Sequence, residues 1–137
     1  MTLDDILEEV KKAKTIVILT HESPDGDAIG SSLAVKLMVE QLGKKADVII
    51  PEYSRLFNFM PSVEEIKEES DIKDYDLAIS VDCGTLKRLA KSEYYEKAKK
   101  TINIDHHGNN TMYGDLNYVN PVSPACAEVL ARNVWIF

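Results

Sequence analysis

His21, Asp25 and Asp27 fall within seven residues of one another, directly after the apolar stretch VILT. Asp82 follows LAISV, and Asp105, His106 and His107 follow TINI. Carboxylates gathered this closely need something to balance their charge. Two of them ~4 Å apart repel by roughly 4 kcal/mol at an effective dielectric of about 20. Several acids sharing one cleft therefore point to cations. A mixed carboxylate and imidazole donor set suits Mn²⁺, Zn²⁺, Fe²⁺ or Co²⁺ better than Ca²⁺, which takes oxygen alone. Two divalent ions would bring +4 against −3 from Asp25, Asp27 and Asp82. The positive remainder would attract a phosphate, and a dinuclear site about 3.5–4 Å across activates water and clamps a phosphoryl oxygen.

Each piece alone has a plainer meaning. His21 reads as a loop residue, and Asp25-Gly26-Asp27 as ordinary turn chemistry. Asp82-Cys83-Gly84 is a loop start, and Asp105-His106-His107 a polar turn. Their joint placement is what matters, because each group follows a strand-like run. TIVILT (15–20), KADVII (45–50), DLAISVD (76–82) and TINID (101–105) are rich in β-branched residues, and DLNYVN (115–120) is a short fifth candidate.

Helical spacing joins these runs. Leu3, Ile6, Leu7 and Val10 share one face of a first helix to about Ala13, with Thr2 and Asp5 as a capping-box variant. Ile29, Leu33 and Leu37 mark a second helix from Asp27 to about Leu42, ended by Gly43. RLFNFM reads as one helical turn, and PSVEEIKEESD as a short charged helix with Pro61 near its start. LKRLAKSEYYEKAKK reads as an amphipathic helix in one or two pieces. Ser123 is placed as the cap of a last helix, with Pro124 at its first position, running through ACAEVLARNVW. Alternating strands and helices predict an α/β fold: a doubly wound, mainly parallel sheet of about five strands with helices on both faces. In such sheets ligands bind beyond the carboxyl ends of the strands, where all seven singled-out residues would meet.

Composition narrows the function classes. At 137 residues and 45% apolar composition the chain suits one domain with a real core. A net charge of −7 argues against a surface that coats long nucleic acid. No run approaches a membrane span, so no membrane partner is expected. The acidic start, MTLDDILEEV, is unlike a signal peptide and predicts a cytoplasmic protein. Cys83 and Cys126 are expected to be free thiols, Cys83 as a small buried side chain. Gly30-Ser31-Ser32 either offers N–H groups to a phosphate or lets a helix pack closely. The signatures GxxxxGK, GxGxxG and GxSxG are absent.

HESPDGDAIGS, VDCG, Asp105-His106-His107 and SPACAE, in that order, resemble the motifs of the DHH phosphoesterase family over nearly the whole chain. PDGDAIGS is most similar to the branch of nanoRNases (oligoribonucleases) and phosphoadenosine-phosphate phosphatases; related pyrophosphatases usually read PDTDA. The resemblance implies two Mn²⁺ ions, with Mg²⁺, Co²⁺ or Zn²⁺ as substitutes. His21 and Asp25 would hold the first, Asp27 and His106 the second, and Asp82 would bridge them. His107 would stand by the substrate phosphate, and Asp105 would orient a histidine. The implied reaction is hydrolysis of short oligonucleotides or 3′-phosphoadenosine 5′-phosphate by an activated water. Inorganic pyrophosphatase, cyclic-dinucleotide phosphodiesterase and an inactive metal-binding or interaction module are the alternatives.

The family also carries a fourth motif, a Thr-Asp-Thr-Gly-like loop whose aspartate ligates the second metal, and a DHH-associated second domain. Neither is in this sequence. The expectation is therefore a single partial domain over 1–137, with a metal site one protein ligand short, weak or absent activity, and weaker binding at the second metal position. Trp135, Ile136 and Phe137 form an apolar end expected to dock, giving a homodimer.

Overall fold

β-branched runs buried on both sides favour a parallel sheet, and the runs over 16–20 and 77–81, buried throughout, lie inside such a sheet of five strands. A computed structural model describes residues 3–133. Its elements are α1 (Leu3–Lys12), β1 (Ile16–Thr20), α2 (Gly26–Gln41), β2 (Ala46–Val48), β3 (Leu77–Val81), α3 (Ser92–Lys97), β4 (Lys100–Asp105), β5 (Leu116–Val119) and α4 (Cys126–Asn133). The strands lie in the order β2-β1-β3-β4-β5, and every pairing is parallel. The chain leaves β1 for β2 on one side and then returns to β3 on the other. That reversal opens a crevice beyond the carboxyl ends of β1 and β3.

The period of two along each strand divides the core. Ile16, Ile18, Ile79, Val81, Ile102 and Ile104 pack in one cluster with Ile6 and Val10 of α1, Leu33 and Val39 of α2, and Val129 and Leu130 of α4. Val17, Leu19 and Ala78 pack in a second cluster with Tyr75, Leu89, Tyr94 and Tyr95. Helices thus cover both faces, three on the first and α3 on the second. Each buried Ile, Leu or Val stabilises by about 1.5–3 kcal/mol. Gly43, with φ +80°, turns the chain after α2, a conformation that favours glycine. Among the described residues no helix is long and apolar enough to cross a membrane. Both cysteines are free and buried.

Several local expectations are corrected. Residues 61–71 form no helix beyond a 3₁₀ turn over Val63–Glu65. Lys67 instead pairs with the end of β2, its N–H donating to Val48 O and its carbonyl accepting from Ile50 N. The run from Leu86 takes the two-piece form, a 3₁₀ turn (Leu86–Arg88) and α3, because Leu89 and Ala90 stretch out to bond His21 and the end of β1. Gly30, Ser31 and Ser32 lie past the first turn of α2, so their N–H groups are not free for phosphate. Ser32 Oγ donates to Ala28 O, and both serines are fully buried. Ser123 does not cap the last helix, which begins at Cys126. Thr2 of the capping-box expectation and the apolar end Trp135–Phe137 lie outside the described residues.

Candidate metal centre

β1 delivers His21 to the mouth of the crevice. Its Nδ1 lies 2.6 Å from Glu22 O, an acceptor only, so Nδ1 carries the hydrogen. The free Nε2 then faces Asp82 Oδ2 at 3.6 Å and Asp25 Oδ1 at 3.9 Å. Asp25 is the N-cap of α2, its Oδ1 accepting from Ala28 N at 2.9 Å. That cap fixes the start of the helix and holds the carboxylate over His21.

Asp82 leaves β3 with φ +57°, while its N–H donates to Ile104 O of β4. Aspartate tolerates this left-handed conformation better than most side chains, at a cost on the order of 1–3 kcal/mol. The residue is 2% exposed. Its Oδ1 accepts no hydrogen bond among the described residues, although His106 Nε2 stands 3.2 Å away. Burial pushes the Asp82 carboxyl up, with His21 pulling it down and Asp27 pushing it up. Asp82 in turn raises His21, against the opposing effect of burial. A buried carboxylate oxygen without a donor and two imidazole nitrogens aimed at the same group fit a cation.

Ligand atoms of His21, Asp25 and Asp82 all lie within 4.8 Å of one another, and so do those of Asp82, Asp105, His106 and His107. Asp82 belongs to both groups. Asp27 belongs to neither, though its Oδ2 is 3.7 Å from His106 Nε2. Its carboxylate is already engaged: Cys126 N and Ala127 N donate to it at 3.0 and 2.9 Å, and Ser31 Oγ at 3.3 Å. The cap of α4 thus comes from α2, about a hundred residues away in sequence. A negative group there also meets the positive end of the helix dipole.

β4 places Asp105 fully buried beneath His107. Asp105 Oδ1 lies 2.7 Å from His107 Nδ1, and Oδ2 accepts from Asn110 Nδ2 at 2.9 Å. His107 Nδ1 is therefore the donor, which leaves Nε2 free. His21, Asp25, Asp27, Asp82, His106 and His107 all line one cleft of about 510 Å³.

Arg88, Asn109 and Asn110 escaped the sequence reasoning. Arg88 and Asn109 line the same cleft, and Asn110 holds Asp105 from behind. Arg88 sits in a run whose charges read as a solvated helix face, and the asparagines read as turn residues. The usable signal was proximity, since each lies within a few positions of a strand-end acid.

Comparison with known proteins bears on the same residues. The chain is 31% identical over 129 residues to the probable bifunctional oligoribonuclease and PAP phosphatase NrnA of Streptococcus mutans, covering 91% of this chain and 40% of that one. It is 34% identical over 128 residues to the bifunctional oligoribonuclease and PAP phosphatase NrnA of Thermus thermophilus, covering 91% and 38%. It is 23% identical over 142 residues to the cyclic-di-AMP phosphodiesterase PdeA of Listeria monocytogenes, covering 91% and 22%. The chain thus spans at most about two fifths of the length of these relatives. An exopolyphosphatase-related protein from Bacteroides fragilis superposes with a TM-score of 0.87 at 26% identity, covering 98% of this chain and 43% of that one. The family model described as "DHH family, N-terminal domain" matches residues 15–135, all five strands and every candidate ligand among them, and the chain belongs to that family.

Proposed function

We propose that the chain is the metal-binding part of a phosphoesterase that hydrolyses short oligonucleotides or adenosine 3′,5′-bisphosphate. One observation carries this reading: Asp82 is buried with an unpartnered oxygen and is shared by two clusters of donor groups. His21 and Asp25 would hold one divalent ion, Asp27 and His106 another, and Asp82 both. Manganese is the metal proposed, as the family resemblance implies; the mixed donor set accords equally with Zn²⁺, Fe²⁺ or Co²⁺. Bound there, the ions would supply Lewis acidity and a water of lowered pKa.

The chain's own groups do the rest. Asp105 fixes His107 with its hydrogen on Nδ1 and holds Nε2 toward the cleft. From there Nε2 is placed to give or take a proton at a phosphate oxygen or leaving group. Asp27 keeps one oxygen toward His106 while anchoring α4, so the second position is built partly from a cap. That division of labour supports weaker binding at the second position than at the first. Free, buried cysteines accord with a reducing compartment, and the cytoplasm is the proposed location. Homodimerisation through Trp135–Phe137 belongs to the same proposal and is tested by sedimentation over a wide concentration range.

The experiment is Mn²⁺-dependent turnover of a 5′-phosphorylated dinucleotide and of adenosine 3′,5′-bisphosphate, each beside pyrophosphate and a cyclic dinucleotide, with Mn²⁺ stoichiometry measured on the same samples. Preferential cleavage of the first two, lost in Asp82→Asn, is the expected result. Preference for the cyclic dinucleotide would move the chain toward the activity named for the Listeria relative. Two bound ions with no turnover of any substrate would make it a metal-binding module.

A further inference from the structure

Among the described residues, the cleft that holds three aspartates and three histidines is lined by a single Lys or Arg side chain, that of Arg88. Other cations of the chain have an acid beside them. Lys36 pairs with Glu40 and Glu65, Lys67 with Asp47, and Lys99 with Asp76. Among the described residues no carboxylate stands within ion-pair distance of Arg88, which is exposed at the rim.

The backbone beneath Arg88 is fixed rather than loose. Arg88 O accepts from Glu22 N at 2.9 Å, and Arg88 N donates to Thr85 O at 3.2 Å. The next two residues are tied to the end of β1: Leu89 forms a bridge with His21, and Ala90 N donates to Thr20 O at 3.0 Å. Arg88 is therefore carried on the same backbone frame as His21, and lines the same cleft as Asp82. An arginine in that position, left without an acid beside so many acids, suits an anion that arrives with the substrate.

We propose that Arg88 is a specificity-determining residue, its guanidinium binding a second phosphate of the substrate while the phosphate to be cut lies over Asp82. The assignment rests on the phosphoesterase reading above. It makes the chain favour ligands with two separated phosphates over those with one, independently of which bond is hydrolysed.

The sequence has three arginines, Arg55, Arg88 and Arg132, so side-chain Nε–H signals of ¹⁵N-arginine-labelled chain are few enough to assign by substitution. The full chain is titrated in Mg²⁺ with adenosine 3′,5′-bisphosphate and, separately, with adenosine 5′-monophosphate, following backbone amides as well and checking nucleotide integrity by ³¹P. The bisphosphate is expected to shift the Arg88 signal saturably, to leave Arg55 unmoved, and to bind at least tenfold more tightly than the monophosphate. Arg88→Ala should abolish that advantage and Arg88→Lys should restore part of it. Shifts at the amides around Asp82 and His107 with Arg88 silent, or an undiminished advantage in Arg88→Ala, would overturn the role of Arg88 and leave the phosphate site standing. Silence at those amides with both nucleotides would remove the phosphate site and this assignment together.

Discussion

Asp82 and Asp105 stand at the carboxyl ends of neighbouring strands, 2% and 0% exposed, and the fold treats them in opposite ways. Asp105 is complete. His107 takes one oxygen and Asn110 the other, and Asn110 Oδ1 accepts from Asn103 Nδ2 at 2.8 Å. Asn103 also donates to Asn117, so the network continues to β5. Asp82 is incomplete. It sits at φ +57° with Oδ1 unpartnered and imidazole nitrogens at 3.2 and 3.6 Å. An uncompensated buried charge costs several kcal/mol, whereas a fully bonded one can be neutral or favourable. The pair shows which acid is bonded into the frame and which keeps an oxygen without a donor among the described residues.

The comparison is most exposed at Asp82 itself. Asp82→Asn keeps the shape and tolerates the left-handed backbone, yet should lower Mn²⁺ affinity by at least about a hundredfold, the upper end of what losing a supporting group costs. Calorimetric titration reads this directly, and unchanged stoichiometry and affinity would erase the distinction between the two acids. Asp105→Asn comes next. Its one remaining carbonyl oxygen cannot satisfy both His107 and Asn110, so the chain should lose about 1.5–3 kcal/mol of stability in urea while Mn²⁺ stoichiometry persists. A metal defect as deep as that of Asp82→Asn would mean that both acids serve the ions.

Smaller effects sharpen the contrast without metal. Removing the unpartnered charge should make metal-free Asp82→Asn more stable than the parent, by about 1 kcal/mol, a trade of function against stability. Thermal melts in a chelator test this, and a lower melting temperature would show that the charge is compensated after all. The pH response is the finest test. His21 binds its proton more tightly in the fold, so the stability it lends is full below about pH 6.5 and lost as pH rises through its raised value. Asp82 has the same sign, its contribution lost as pH rises from the ordinary carboxylate range through its own raised value. The metal-free chain should therefore melt lower at about pH 8 than at about pH 6. Asp82→Asn should flatten that slope, since Asp82 is the largest cause of the His21 shift.

Much of this was readable from residue order. β1 and β3 are largely apolar and buried throughout, and β4 alternates Ile102 and Ile104 with polar residues, so the boundaries of all three lie within a residue of expectation. The charged stretch after Pro61 misled because helical propensity there is overridden by pairing of Lys67 with the end of β2. Ser123 misled for a related reason: a local capping residue was assumed, and the cap is Asp27 from another helix.

The sequence by itself determined which residues stand at strand ends, because apolar periodicity and turn chemistry are local properties of the chain. It therefore fixed His21, Asp25, Asp27, Asp82, Asp105, His106 and His107 as candidates. Only the tertiary structure decided how they differ. Whether a carboxylate is bonded, as Asp105 is, or left with a bare oxygen, as Asp82 is, depends on donors brought from other strands and helices. Hydrogen bonds of that kind join residues far apart in sequence, and their geometry exists only once the sheet has set its register.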